Sequence, residues 1–231
     1  MISFVISIYN GSKLLKNSVN NLVKFLNKNL IKNYEIILVN DGSIDNTLDI
    51  AKNLINQKIK LIGYNKNKGR GYALKYSSKF IKGEKVIFMD LDLPQQADIK
   101  IIKKMIQYLN SYDIVVASRH LKESKIKRKK IRLILSKLYV SLIKVIVPEL
   151  NISDIDCGFK AFKRGVFNNL NKLIKENRWS WDLEMFILAR KQKLKIKELP
   201  LVWQEEGEST FGVFIEPLKQ LITTLRVSLR Y

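Results

Sequence analysis

The sequence predicts an α/β fold built on a doubly wound, mostly parallel sheet, and three observations carry that prediction. Apolar segments of strand length alternate with segments of helical periodicity through the first half of the chain. Two of the clearest strands, Glu35 to Val39 and Val86 to Met89, are nearly unbroken apolar runs, the pattern of a sheet covered on both faces. Acidic or glycine-containing turns follow the strands, at the edge where open α/β sheets bind their ligands.

The elements follow in order. Ile2 to Ile8 is the first strand, and Tyr9-Asn10-Gly11-Ser12 supplies a turn and a helix cap before a helix from Leu14 to Leu30. Glu35 to Val39 is the second strand; Asn40 to Ser43 ends it, and Asp45-Asn46-Thr47 opens the next helix. A short strand from Lys60 to Gly63 leads to Gly69-Arg70-Gly71 and a helix through Phe80. The fourth strand runs into Asp90 and Asp92, a helix covers Ala97 to Leu109, and Asp113 to Ser118 is the fifth strand. The expected organisation is one domain over residues 1–213 and a C-terminal amphipathic helix over 214–231.

Composition narrows the function. Lys and Arg number 42 against 21 acids, a formal net charge of +21, which implies an anionic partner such as nucleic acid, an anionic membrane or a phosphorylated substrate. One cysteine, Cys157, excludes an intrachain disulfide, and a single histidine, His120, argues against a His-rich metal site. The start lacks a basic signal-peptide region and no apolar run reaches membrane-span length, so the expectation is a cytoplasmic protein that touches a membrane from outside. Nucleic acid is disfavoured, because the basic stretch lacks interleaved aromatics for stacking.

The pair Asp90 and Asp92 organises the chemistry. If the strand stayed extended, the two would share a side. Close carboxylates repel unless a cation lies between them, and hard oxygen ligands suit Mg2+ or Mn2+ with a substrate phosphate completing the shell. The bland alternative is a strand end with two solvated acids. The Gly69-Arg70-Gly71 loop lacks the spacing of a dinucleotide fingerprint and no P-loop lysine follows it, which disfavours both sites. Asp182 and Glu184 are further candidates to orient a sugar, relay a proton or pair with a cation.

Ordered motifs then point to a family. Tyr9-Asn10, Val39-Asn40-Asp41-Gly42-Ser43-x-Asp45-x-Thr47, Asn67-Lys68-Gly69 and Asp90-x-Asp92 together resemble family 2 glycosyltransferases of the GT-A fold, and Ala117-Ser118-Arg119, Arg132-x-x-x-Ser136, Asp156-Cys157-Gly158-Phe159-Lys160-x-Phe162 and Arg178-Trp179-x-Trp181-Asp182-x-Glu184 sharpen the resemblance. Within these the chain is most similar to polyprenyl-phosphate enzymes of the dolichyl-phosphate β-glucosyltransferase branch, related to dolichyl-phosphate mannose synthase. The resemblance implies transfer of a sugar, glucose favoured, from a nucleoside-diphosphate sugar (UDP-glucose favoured) to a polyprenyl phosphate with inversion. It implies a nucleotide-sugar site of Ser7, Tyr9, Asn10, Asp41, Gly42, Lys68, Gly69, Asp90 and Leu91, with the metal on Asp90 and Asp92. It implies an acceptor-phosphate grip of Arg119, Arg132, Ser136 and Lys160, and a catalytic group of Asp90, Asp92, Arg119, Asp182 and Glu184. The chain departs from the family at Ser7 and Gly11, at Thr210 where a lysine is usual, and at Gln204 and Glu205 where mannose synthases carry an arginine. Two rivals stay open: transfer to a hydroxyl acceptor, which needs a base such as Asp182 or Glu184, and a non-catalytic basic module that binds nucleic acid.

Two amphipathic segments complete the reading. Arg119 to Lys137 holds nine basic residues and one acid and leads into an apolar stripe of Ile131, Leu135, Leu138, Leu142 and Val145. Phe214, Leu218, Leu221, Ile222, Leu225 and Leu229 form a second stripe, flanked by Lys219, Arg226 and Arg230. Either stripe can pack inward as core; the insolubility of a polyprenyl tail favours docking on an anionic, cytoplasmic membrane leaflet instead.

Overall fold

The computed structural model describes residues 1–128, 130–148, 150–204 and 215–231, with the backbone alone at 130, 132, 133 and 215–221. Among the described residues a seven-stranded sheet forms the centre, in the order β3-β2-β1-β4-β7-β5-β8. These are β1 (Ile2–Ile8), β2 (Tyr34–Asp41), β3 (Ile59–Tyr64), β4 (Lys85–Asp90), β5 (Ile114–Ser118), β7 (Phe159–Lys163) and β8 (Ile196–Pro200). A separate two-stranded ribbon pairs β6 (Lys125–Lys127) with β9 (Val202–Gln204). The first four strands are parallel, as their apolar runs predict. β7 is the addition that the sequence reading lacks: it enters between β4 and β5 and runs antiparallel to both.

Side chains alternate across this sheet and divide the core in two. On one face Phe4, Ile6 and Ile8 of β1 meet Leu15, Val19, Leu22 and Leu26 of α1 (Ser12–Lys28), and Met105 of α5 (Ile101–Tyr108). On the other, Val5, Ile37 and Phe88 meet Ala73 and Leu74 of α3 (Arg70–Ser77), Phe167 of α7 (Arg164–Leu173), and Trp181 and Phe186 of α8 (Trp181–Lys191). Each such aliphatic or aromatic side chain contributes about 1.5–3 kcal/mol when fully withdrawn from water.

Two helices lie against the second face. α6 (Lys130–Ile146) buries Val140 and Ile143, and α9 (Ile215–Ser228) buries Thr224 and Val227. Tyr139 of α6 and Thr224 of α9 approach within hydrogen-bonding distance, 3.4 Å. The expected domain boundary at 213/214 falls outside the described residues, as do Glu205 and Thr210; the described part of α9 is bound into the core.

The remaining elements are short. α2 (Thr47–Lys52) follows β2, and α4 (Leu93–Gln96) follows β4. The β4 strand ends at Asp90, and Asp92 has helical dihedrals, φ −79° and ψ −23°. Strand alternation therefore does not bring the two acids together, contrary to the extended reading; the turn into α4 does.

Candidate active site

The C-terminal ends of β1, β2 and β4 converge, and register places Ser7 between Val39 and Asp90. Asp41, at the end of β2, is buried. Its carboxylate accepts the backbone N–H groups of Lys68 (2.8 Å) and Gly69 (3.0 Å) and the Asn67 side-chain amide (2.9 Å). The loop that wraps it needs glycine, because Gly69 has φ +98° and Gly42 has φ +68°. Asn10 stitches this loop system together: its side-chain oxygen accepts from Ile44 N at 2.9 Å, and its N–H donates to Ser43 Oγ at 3.1 Å. Asp45 accepts from Thr47 N and Ser12 N, which holds its carboxyl down at about 2 against the opposing effect of burial. Tyr9 stands exposed at the rim, and the Lys68 ammonium lies 4.5 Å from the Tyr72 ring centre. Leu91 contributes its backbone, whose carbonyl accepts the Ser18 hydroxyl at 2.5 Å.

Asp90 and Asp92 line one pocket with Leu93, Arg119, Asp156, Cys157, Gly158, Leu201 and Trp203. The turn before β7 is pressed against Asp90, whose N–H donates to Gly158 O at 3.1 Å. A side chain at Gly158 would fall on the Asp90 carboxylate, so the position has room for glycine only. Burial, then the nearby charge of Asp90, pushes the Asp92 carboxyl up to about 6. Burial and Asp182 push Asp156 up to about 7. Acids crowded into one pocket are a donor set that a hard divalent cation would relieve. Burial drives the Cys157 thiol up to about 12, which makes it a packed residue and not a nucleophile.

Beneath the acids runs a chain of buried ion pairs. Arg70, the first residue of α3, donates from Nε to Asp90 at 2.8 Å and from a terminal nitrogen to Asp182. Its guanidinium lies 4.5 Å from the Phe88 ring centre. Burial alone would weaken its hold on its proton, but Asp182 and Asp90 more than compensate and keep it charged. Asp182 also meets Lys160 Nζ at 2.7 Å.

Arg119 follows β5 and forks onto Asp154, Nε to Oδ2 at 2.7 Å and a terminal nitrogen to Oδ1 at 2.8 Å. Burial would raise the Asp154 carboxyl, and Arg119 outweighs it and holds that carboxyl well below the usual range. His120 binds the Ser153 carbonyl through Nδ1 (2.9 Å) and the Ser136 hydroxyl through Nε2 (3.0 Å). Ser136 is thus tied to the residue that follows Arg119 in the chain, and the side chain of Arg132 is outside the described residues.

Two expected site residues have other duties. Lys160 is wholly buried; its ammonium is spent on the Ile155 and Cys157 carbonyls and on Asp182, so it cannot grip an incoming phosphate. Glu184 is equally buried, and it accepts the backbone N–H groups of Lys175 and Glu176, Arg230 at 2.9 Å and the Tyr231 hydroxyl at 2.7 Å. It anchors the end of the chain instead of serving catalysis. Asp182 does not line the pocket; it braces Arg70 and raises the Asp156 carboxyl, as a positioning residue. Sequence reasoning treated Arg70 as loop and His120 as a lone histidine, and gave Asp154 no partner. Tertiary packing gives them partners: Asp90 and Asp182 of α8 for Arg70, Arg119 for Asp154, and Ser153 and Ser136 of α6 for His120.

The loop around Asp41, the Asp90/Asp92 pair and Arg119 gather at one edge of a mostly parallel sheet, and residues 3–170 match the Glycosyl transferase family 2 domain. The chain belongs to that family. Among its relatives, Glycosyltransferase AglD of Haloferax volcanii is 28% identical over 90% of this chain and 34% of its own length. Dolichyl-phosphate beta-glucosyltransferase ALG5D of Trichomonas vaginalis is 32% identical over 100% of this chain and 73% of its own length. The chain thus spans about a third of the first relative and about three quarters of the second. In fold it is similar to glucosyl-3-phosphoglycerate synthase from Mycobacterium tuberculosis in complex with Mn2+, UDP-glucose and phosphoglyceric acid. The TM-score is 0.68 at 17% identity, covering 99% of this chain and 79% of the other.

Proposed function

We propose that the protein transfers glucose from UDP-glucose to a polyprenyl phosphate of the dolichyl type, with inversion at the anomeric carbon. The observation that carries this is the placement of Arg119 in the same pocket as Asp90 and Asp92, a cation facing the acids across a space where two anions must meet. The name of the Trichomonas relative supports the sugar and the acceptor, and the ligands of the mycobacterial structure support the nucleotide and a divalent cation.

Asp41, with the loop from Asn67 to Gly69, would receive the nucleoside. Asp90 and Asp92 would hold Mg2+ or Mn2+, since such a cation is commonly bound by one or two carboxylates plus substrate phosphates. When bound, the cation offsets the negative charge that develops on the departing diphosphate. Arg119 and Ser136 would orient the acceptor phosphate. A phosphate monoester with a second pKa of about 6 is already an anionic nucleophile near neutrality, so no general base is required.

Asp182 and Glu184, the bases a hydroxyl acceptor would call for, are committed to buried partners. One observation favours a hydroxyl acceptor nonetheless: Asp156, pushed up to about 7, lines the pocket and could take a proton. Incubation with UDP-glucose, Mn2+ and either farnesyl phosphate or farnesol separates the two. A charged glycolipid from the phosphate alone supports the main reading; product from the alcohol alone, or from neither, overturns it.

Membrane docking would use α6 and α9. Among the described residues no helix is long and apolar enough to cross a membrane. Ile134, Leu138 and Val145 of α6 and Ile222 and Leu225 of α9 are exposed, although both helices also bury residues in the core. Lys125 and Lys127 are exposed beside α6, and basic residues near an anionic surface contribute about 1 kcal/mol each. Because Val227, Arg230 and Tyr231 tie α9 into the fold, deletion of the C-terminal helix would damage the protein itself. Replacing Leu138, Ile222 and Leu225 by Ser is the cleaner test: release from anionic liposomes supports docking on a cytoplasmic leaflet, and unchanged binding refutes it.

A further inference from the structure

We propose that His120 is a positioning residue that couples binding of a phosphate monoester at Ser136 to uptake of a proton, an inference that rests on the acceptor site proposed above. The Nδ1 atom of His120 faces the Ser153 carbonyl oxygen at 2.9 Å, and a carbonyl only accepts, so Nδ1 carries a hydrogen. In the neutral ring Nε2 is then a bare acceptor. The Ser136 hydroxyl, 3.0 Å away, must donate to it, and the single hydrogen of Ser136 is spent. What Ser136 can then offer an incoming ligand is lone pairs.

A phosphate dianion also presents only lone pairs, so it cannot use Ser136 in that state. Protonation of His120 reverses the bond. Nε2–H donates to Ser136 Oγ, and the hydroxyl hydrogen turns out toward the phosphate. No covalent bond changes; a proton from solvent sits on Nε2 while the phosphate is bound.

The charged groups around the ring suit such a device. Arg119 precedes it in the chain, Lys137 faces it from α6, Asp154 faces it from the turn before β7, and Glu198 of β8 holds Ser153 N (3.0 Å) and Oγ (2.5 Å). Burial, together with Arg119 and Lys137, outweighs Asp154 and lowers the histidine below its ordinary value, so the free protein is neutral there at pH 7. A bound dianion adds negative charge and a hydrogen-bond demand that both favour the imidazolium. By linkage, phosphate raises the affinity for the proton as much as the proton raises the affinity for phosphate. Acceptor affinity should therefore fall by up to about tenfold per pH unit above the titration of the free histidine.

His120 is the single histidine of the chain, so proton NMR of the whole protein reads one imidazole without assignment. The experiment titrates it alone, with saturating farnesyl phosphate and with inorganic phosphate, in wild type and in Ser136→Ala. The expected result is a raised His120 pKa with farnesyl phosphate in wild type and a smaller rise in Ser136→Ala. An equal rise with inorganic phosphate supports the coupling and assigns it to the phosphate group itself; a rise with farnesyl phosphate alone supports it as a response to lipid-borne phosphate. In turnover, His120→Gln, whose amide N–H can donate to Ser136 at any pH, should flatten the pH dependence of the farnesyl phosphate KM. An unmoved His120 pKa, with Ser136→Ala still weakening farnesyl phosphate binding, overturns the coupling and leaves the acceptor site standing. A Ser136→Ala variant that binds farnesyl phosphate as tightly as wild type overturns the acceptor site at Ser136 and the coupling with it.

Discussion

Asp41 and Asp182 are both buried acids at the site, and they are held in opposite ways. On the parallel side of the sheet, Asp41 is gripped mainly by backbone N–H groups of one loop, Lys68 and Gly69. On the side that β7 joins, Asp182 is gripped by two side-chain cations, Arg70 and Lys160. Backbone donors are fixed by the loop's shape whatever the neighbouring side chains. Side-chain cations must be supplied one by one, and each depends on its partner in turn. The hold on Asp41 therefore depends on the loop's backbone path, with its glycines at 42 and 69, whereas around Asp182 one substitution strands several charges.

Asp182→Asn is the largest expected break in that contrast. It leaves Arg70 and Lys160 buried with less opposing charge, and removal of one partner of a buried pair costs about 3–5 kcal/mol. Urea unfolding should show the loss, with transfer activity falling because Arg70 no longer braces Asp90. A cost below 1 kcal/mol would mean that the network is not cooperative.

Asp92→Asn tests the pocket itself. Activity should fall about 100- to 1,000-fold, the scale of a lost preorganised charge contact, with the circular dichroism spectrum unchanged. Turnover at the wild-type rate would remove the acid pair from the mechanism.

Glu184→Gln is expected to cost about 1–3 kcal/mol, because a buried acceptor of several donors loses its charge. It should loosen the end of α9, seen as faster amide exchange at Arg230 and Tyr231, while the KM for UDP-glucose stays constant. A rise in that KM would draw Glu184 back into the site.

The smallest effect is in pH. The folded Asp92 carboxyl lies at about 6 against 3.8 for the free group, so the fold prefers its neutral form. That preference helps stability below 3.8 and is lost as pH rises through 6. In EDTA, Asp92→Asn should therefore gain about 2–4 °C in Tm at pH 8 and nothing at pH 4. A gain of equal size at both values would exclude titration of Asp92 as its source.

The same contrast explains what the sequence made legible. β1 to β4 and the helices between them stand close to where periodicity places them, because each strand is a local apolar run closed by turn residues. Asp41, Gly69 and Asp90 announce themselves at strand ends for the same reason. Lys160 and Glu184 mislead because a charge in sequence carries no sign of its burial; both lie in motifs with catalytic-looking neighbours, and only tertiary packing reveals that their partners are internal. Arg70 is the converse. It looks like loop chemistry until β7 and α8 bring Asp182, 112 residues away, against it. The antiparallel insertion of β7 is itself unreadable, since Phe159 to Lys163 is a short segment with two lysines and follows neither a clean alternation nor an unbroken apolar run, although the fold buries most of it.

Gly158 has an evolutionary consequence. The cation-facing end of β4 is shaped by a missing side chain, and no bond to Gly158 could be strengthened to make good its loss. At position 158 there is no small step: the least replacement, alanine, already takes the space of the Asp90 carboxylate. That site should thus drift last, and an inactive descendant carrying any side chain there should regain its acid pair by reversion to glycine alone.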